Sequence, residues 1–185
     1  MRILAYCIAP AREAVRAATG VEPLTSPPWT ADTLSPEQLR GYDLLYFRLH
    51  GLPNVTVWFG EDGERKKLIP ALNNEHLDAL GSDGLSGTVV VLANCYGADS
   101  PMVNELYQAG ARAVIAGYGP NIAAARRVVG TDLLVHWLIL AMHAGLDVAQ
   151  ALRVAKTRLA ISAWRAADRD AMQFKLIEKG AGVIT

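Results

Sequence analysis

The chain reads as an α/β protein: a mostly parallel sheet flanked by helices on both faces, with a small hairpin inserted after its second strand. Two observations predict this. Apolar runs of strand length recur along the sequence, and they alternate with helical patterns that stop at glycine. The run at residues 88–92 is almost wholly β-branched, and such runs are buried on both faces, as in parallel sheets. A length of 185 residues suits one domain, spanning residues 1–185, with a full core.

The elements follow in order. Residues 2–8 form a first strand, and residues 10–19 a helix that stops at Gly20. Residues 21–35 carry Pro23, Pro27 and Pro28 among Thr and Ser, which predicts a loop. Ser35-Pro36-Glu37 opens a short helix, with Ser as cap and Pro at the first helical position. Residues 42–49 are a second strand. Residues 55–59 alternate, Gly60-Glu61-Asp62-Gly63 turns, and residues 67–72 return, which predicts the hairpin. Residues 74–80 make a short helix ending at Gly81. Residues 88–92 are the third main strand, and Ser100-Pro101 caps a helix over 101–109 that Gly110 closes. Residues 113–116 are a fourth strand, followed by the loop 117–121. Helices cover 131–144 and 148–163, and a last short strand covers 174–177. Right-handed crossovers then bring all the parallel strands' carboxyl ends to one edge, where open α/β sheets bind ligands.

Composition narrows the class. The chain is 51% hydrophobic and 19% charged, a globular balance. Its formal net charge is zero, so no global field draws it to nucleic acid or an anionic membrane. The basic clusters Arg65-Lys66-Lys67 and Arg126-Arg127 are short and read as solvated loops. Two cysteines, Cys7 and Cys95, make no disulfide framework and point to a reduced, cytoplasmic protein. The N-terminus reads as a strand and not as a signal peptide. The apolar run 133–142 is shorter than the roughly 20 residues that span a bilayer.

Two segments carry the chemistry. Asp43-Leu44-Leu45-Tyr46-Phe47-Arg48-Leu49-His50-Gly51 and Thr88-Val89-Val90-Val91-Leu92-Ala93-Asn94-Cys95-Tyr96-Gly97 each end an apolar strand in a reactive side chain with glycine close behind. On neighbouring parallel strands, His50 and Cys95 emerge side by side. A thiol has a reference pKa of about 8.5, and a nearby imidazole can take its proton and make it a nucleophile. Acyl transfer also needs donors for an oxyanion, each worth about 3–4 kcal/mol of barrier. The backbone N–H groups of Gly51 and Cys95 are the candidates. Gly51 lacks a Cβ and so admits close approach, while Gly97 lets the chain turn and expose the sulfur.

Other residues have plainer readings. Cys7 is core filler, and a lone cysteine after an apolar strand is commonly a small buried hydrophobe. His76 lies on a short polar helix and reads as surface. His136 and His143, seven apart on one helix, read as core or interface residues. No cysteine and histidine spacing suits zinc. Gly117-Tyr118-Gly119-Pro120-Asn121 has only part of a nucleotide-binding glycine pattern. Trp29, Trp58, Trp137 and Trp164 are scattered and form no base-stacking platform.

An apolar strand ending in His-Gly, then some forty residues on a strand ending in Cys-x-Gly, resembles the caspase-like cysteine peptidases of clan CD. The nearest likeness is to the bacterial CHAT domains, through Leu92-Ala93-Asn94-Cys95-Tyr96-Gly97 and the segment 106–116 with its Ala109-Gly110-Ala111-Arg112. Residues 149–155 and 174–177 resemble that group's late helix and closing strand, so the likeness covers about residues 40–180. It implies a caspase-type sheet and a His50–Cys95 dyad. It implies endopeptidase cleavage through a thioacyl-enzyme, with no cofactor and no metal. Its partners would be a peptide or protein substrate, with a regulatory protein or a homo-oligomer controlling a bare domain. The position two before the cysteine commonly carries a polar P1-selecting residue in the family, and here it is Ala93. Arg12 resembles a caspase-type P1 ligand in placement, and Asp99 is a candidate for a basic P1. Tyr118 and Asn121, on the loop at the same edge, complete the substrate-pocket candidates.

Two alternatives stay open. One is a catalytically silent signalling or scaffold domain that keeps the fold. The other is a small-molecule thiol hydrolase on a flavodoxin-like sheet. A peptide-sized groove at the strand edge favours the peptidase, and a closed small pocket favours the small-molecule enzyme.

Overall fold

The run Val89-Val90-Val91-Leu92 is β6 (Val89–Leu92), and every one of its side chains is buried. Alternate residues of such a strand point to opposite faces, so burial of all four requires cover on both sides. The computed structural model, which describes residues 1–62, 66–121, 128, 130–162 and 166–179, supplies that cover.

Six strands form the main sheet. They are β1 (Ile3–Ile8), β2 (Leu24–Ser26), β3 (Leu44–Arg48), β6, β7 (Ala113–Ala116) and β8 (Lys175–Ile177), in the order β2-β1-β3-β6-β7-β8. The first five in that order are parallel, and β8 runs antiparallel to β7. Numbered along the main sheet alone, the parallel strands follow 2-1-3-4-5, the flavodoxin-type doubly wound order, whose switch point lies between β1 and β3. A separate antiparallel hairpin pairs β4 (Val57–Asp62) with β5 (Lys67–Asn73).

Helices lie on both faces. On one side, α1 (Arg12–Thr19), α4 (Thr131–His143), α5 (Val148–Ser162) and α6 (Ala166–Ala171) enclose a cluster that takes Leu44 and Tyr46 from β3 and Val89 and Val91 from β6. On the other, α2 (Asn74–Asp78), α3 (Met102–Gln108) and the hairpin enclose Leu45, Phe47, Val90 and Leu92. The alternation of these strands therefore feeds two cores. Trp58 pins the hairpin into the second, fully buried, with its ring 5.2 Å from that of Phe47.

One buried polar group interrupts the first core. Arg48, 5% exposed, pairs through Nη1 with Asp132 Oδ2 at 2.6 Å, and Asp132 is 1% exposed. Tyr46, two residues before Arg48 and on the same face, donates its hydroxyl to Asp132 Oδ1 at 2.7 Å. Burial pushes the Asp132 carboxyl up to about 6 against the opposing pull of Arg48 and Tyr46, and pushes the Tyr46 phenol well above its usual value.

The expected α/β class, the mostly parallel sheet, the two helical layers and the hairpin are all present. Four local readings need correction. Residues 21–35 contain the edge strand β2, three residues too short to show a pattern among prolines. The turn at Pro36–Leu39 is a 3-10 helix with a capping box. His76 is buried, because its ring packs back on the α2 cap residue Asn73. His143 is exposed at the end of α4, while His136 sits 3.2 Å from the Ala18 carbonyl. The tip residues Gly63 and Arg65, the cluster Arg126-Arg127, and Ala163 and Trp164 lie outside the described residues. Among the described residues no helix is long and apolar enough to cross a membrane.

Removing the Asp132 carboxylate takes from the buried Arg48 the carboxylate it pairs with at 2.6 Å, and breaking a buried ion pair costs about 3–5 kcal/mol. Asp132→Ala should therefore lower the thermal midpoint by several degrees or more. The double change Arg48→Met with Asp132→Leu should recover much of that loss in a denaturant titration. If both proteins unfold like the wild type, the pair carries no such constraint.

Candidate functional site

The parallel ladder between β3 and β6 sets the site. Phe47 pairs with Leu92 as the last partners of the two strands, and Ala93 N–H donates to the Phe47 carbonyl at 2.8 Å. His50 and Cys95 each stand three residues beyond that pair, so both leave the sheet at the same edge. Cys95 is partly exposed, and the His50 side chain is 36% exposed. Both line a cleft of about 150 Å³ together with Ile8, Arg48, Leu49, Ala93 and Asn121. Ile8 ends β1 and Arg48 ends β3, so the cleft opens at the switch point of the sheet.

The backbone around the cysteine is locally strained. Tyr96 adopts φ 56°, the left-handed region that side chains other than glycine seldom occupy. Its N–H donates to the Gly119 carbonyl at 2.6 Å, which ties the turn to the loop after β7. Tyr96, and not Gly97, thus carries the sharp turn. Gly97 is closely packed, since a Cβ there would lie 3.1 Å from the Leu92 Cβ.

Gly51 is also required by packing. A Cβ at Gly51 would sit 2.1 Å from the Cys95 carbonyl oxygen, so glycine lets these two backbones meet. Among the described residues neither the Gly51 N–H nor the Cys95 N–H finds a protein acceptor. Both donors therefore remain without a protein partner, and Gly51 lies against the Cys95 backbone.

Asn121 holds the sulfur from the other side. Its N–H donates to Cys95 Sγ at 3.3 Å, and the thiol lies 3.7 Å from the Asn121 carbonyl oxygen. The Asn121 carboxamide donates to the Ala93 carbonyl at 2.7 Å and accepts from the Thr131 hydroxyl at 3.1 Å. This clamp fixes the loop, and an N–H aimed at sulfur strengthens when the sulfur is a thiolate.

The imidazole has its own partner, which the sequence alone did not single out. His50 Nε2 lies 2.9 Å from Glu61 Oε2. The reason is cross-strand pairing. His50 exchanges two backbone hydrogen bonds with Phe59 of β4, at 2.8 and 2.9 Å. Glu61, two residues beyond Phe59, is then a diagonal neighbour on the same face. A carboxylate can only accept, so Nε2 carries the proton and the Nδ1 of a neutral ring is left as a base. In the described residues the imidazole bonds to Glu61 and the sulfur to Asn121, with no direct bond between them.

The remaining pocket candidates lie apart from the cleft. Arg12 pairs with Glu22 at 2.5 Å on an exposed surface. Asp99 accepts from the Gly119 N–H at 3.2 Å and so supports the Asn121 loop from below. Tyr118 is exposed beneath the Lys175 ammonium, 4.5 Å from its ring centre. Among the described residues no group of three or more His, Cys, Asp or Glu is placed to hold a metal ion.

The two thiols should differ sharply in reactivity. Cys7 is fully buried, and burial pushes its thiol up to about 12, while Cys95 opens to the cleft. Brief iodoacetamide treatment followed by peptide mapping should label Cys95 at least tenfold more than Cys7. Equal labelling would remove the argument for an activated Cys95.

No family model and no curated protein matches the chain, so what the site does is argued from its chemistry.

Proposed function

We propose that the chain is a cysteine endopeptidase of the caspase-like kind, acting through Cys95 and His50. The observation that carries the reading is that these two residues follow the carboxyl ends of adjacent parallel strands and line one cleft. The mostly parallel sheet and the His-Gly and Cys-x-Gly order agree with it.

The chemistry follows from the parts. His50 Nδ1 takes the thiol proton, and the thiolate attacks the scissile carbonyl carbon, forming a C–S bond as the C=O electrons move onto oxygen. The N–H groups of Gly51 and Cys95 receive that oxyanion. The imidazolium then protonates the leaving amine as the C–N bond breaks, giving a thioester. Water attacks the thioester with His50 as base, and the thiol leaves with its proton restored. Glu61 holds the ring in the tautomer that leaves Nδ1 toward the reaction and offsets the imidazolium charge. Asn121 N–H steadies the sulfur before and after acyl transfer.

A second reading has one observation in its favour. A cleft of about 150 Å³ holds one side chain or one small acyl group, not a length of peptide. A small-molecule thiol hydrolase would use the same residues on an ester or amide of a short acid. Peptide binding requires the rest of the chain to lie along the open strand edge outside the cleft.

Fluorogenic peptides and p-nitrophenyl acetate, run side by side, separate the two readings. Peptide cleavage lost in Cys95→Ala supports the peptidase, while turnover of the acetate alone supports the second reading. Cleavage that survives Cys95→Ala removes both. His50→Ala should cost several powers of ten, because the pair acts as a unit. Glu61→Gln should lower kcat by about 10–100-fold, the worth of a hydrogen bond to a charged group, with KM and thermal midpoint little changed. A Glu61→Gln protein with full kcat would show that the carboxylate does not position the ring.

A further inference from the structure

We propose that the cleft beside Cys95 receives one uncharged substrate side chain of small to medium size. The inference rests on the peptidase reading and names the substrate class of the same site.

Size comes first. A cavity of roughly 150 Å³ lined by aliphatic side chains takes a group about as large as benzene, and the cleft has about that volume. Its apolar walls are Ile8, Leu49 and Ala93. Alanine, valine or leucine side chains fit such a space, while an indole is larger than benzene and would have to extend out of the open side of the cleft.

Charge is the sharper constraint. Arg48 is the only permanently charged side chain among the described lining residues, and its guanidinium is already engaged. Asp132 sits on Nη1 at 2.6 Å and is itself held by the Tyr46 hydroxyl. Burial leaves the Asp132 carboxyl at about 6, so the pair is intact at neutral pH. A substrate carboxylate entering the cleft would be a second anion on one buried cation. A substrate ammonium would lie beside a guanidinium whose counter-charge is spent. Either would leave one charge beside an ion pair that is already complete, which is unfavourable wherever the lining excludes water. An aliphatic side chain packs on the apolar walls and disturbs neither the Arg48–Asp132 pair nor the His50–Glu61 bond.

Placement of the other charged candidates agrees. Arg12 and Asp99 could each have read an oppositely charged side chain, but Arg12 pairs with Glu22 and Asp99 braces the Gly119 amide. Neither lines the cleft. The charge-reading parts that sequence order suggested are thus committed to holding other structure.

The test uses the wild-type chain at pH 7.5 and peptidyl acyloxymethyl ketones that differ only at P1. Alanine, leucine, tryptophan, aspartate and lysine are compared by the second-order rate of Cys95 labelling, read by intact mass. Each rate is normalised to iodoacetamide. The alanine or leucine probe should react at least tenfold faster than the aspartate, lysine and tryptophan probes. Equal rates for all five, or preference for aspartate or lysine, would overturn the proposal while leaving the peptidase reading standing. Rapid labelling by iodoacetamide with none by any ketone would remove the peptidase reading, and this inference with it.

Discussion

The parallel pairing of β3 with β6 is the constraint on which the rest of the site depends. Its register places Phe47 opposite Leu92 and so sends His50 and Cys95 out together. A parallel ladder between strands buried on both faces has little freedom to slip. A shift of one residue would turn every side chain of β3 to the wrong core. The candidate residues are thus positioned by the same packing that stabilises the domain, with the Asn121 loop adding a clamp on the cysteine side.

That packing includes one costly feature. Arg48 and Asp132 are both taken out of water, and a buried ion pair is often no more stabilising than an apolar pair of the same volume. Tyr46 adds a hydrogen bond from the same strand face, which helps satisfy the carboxylate. Arg48 also lines the cleft, where an aliphatic residue would have filled the core more simply. The cleft wall therefore carries a cation whose carboxylate partner sits on α4.

Much of this is legible in the sequence. The strands announced themselves because runs such as Val89-Val90-Val91-Leu92 leave no polar face, and the helices because glycine closes them. His50 and Cys95 were legible as strand-terminal residues of adjacent units. Glu61 was not, because its role depends on His50 pairing with Phe59, a contact between the main sheet and the hairpin that no local pattern encodes. Arg48 read as one more strand residue, since its partner Asp132 is 84 positions away in sequence on α4. Asn121 was visible only as part of a loop at the right edge. Tyr96 was passed over because Gly97, the obvious turn residue, stands beside it. Arg12 and Asp99 looked like ligands by placement, and local partners that the sequence order does not reveal occupy them.

Successive residues of β3 and its extension divide the work in a way that follows from strand geometry. Phe47 faces the hairpin core and meets Trp58, which seats β4. Arg48 faces the opposite core and meets Asp132. His50, beyond the strand end, bridges to Phe59 and thereby meets Glu61. The imidazole's orientation is therefore coupled to the seating of Trp58 three residues before Glu61 on the same strand. The cleft's charge is set from the other face of the sheet. A side chain lost from either core can reach His50 through β3, which makes this five-residue strand one mechanical link between the packing and the site, beside β6 and the Thr131–Asn121 bond on the cysteine side.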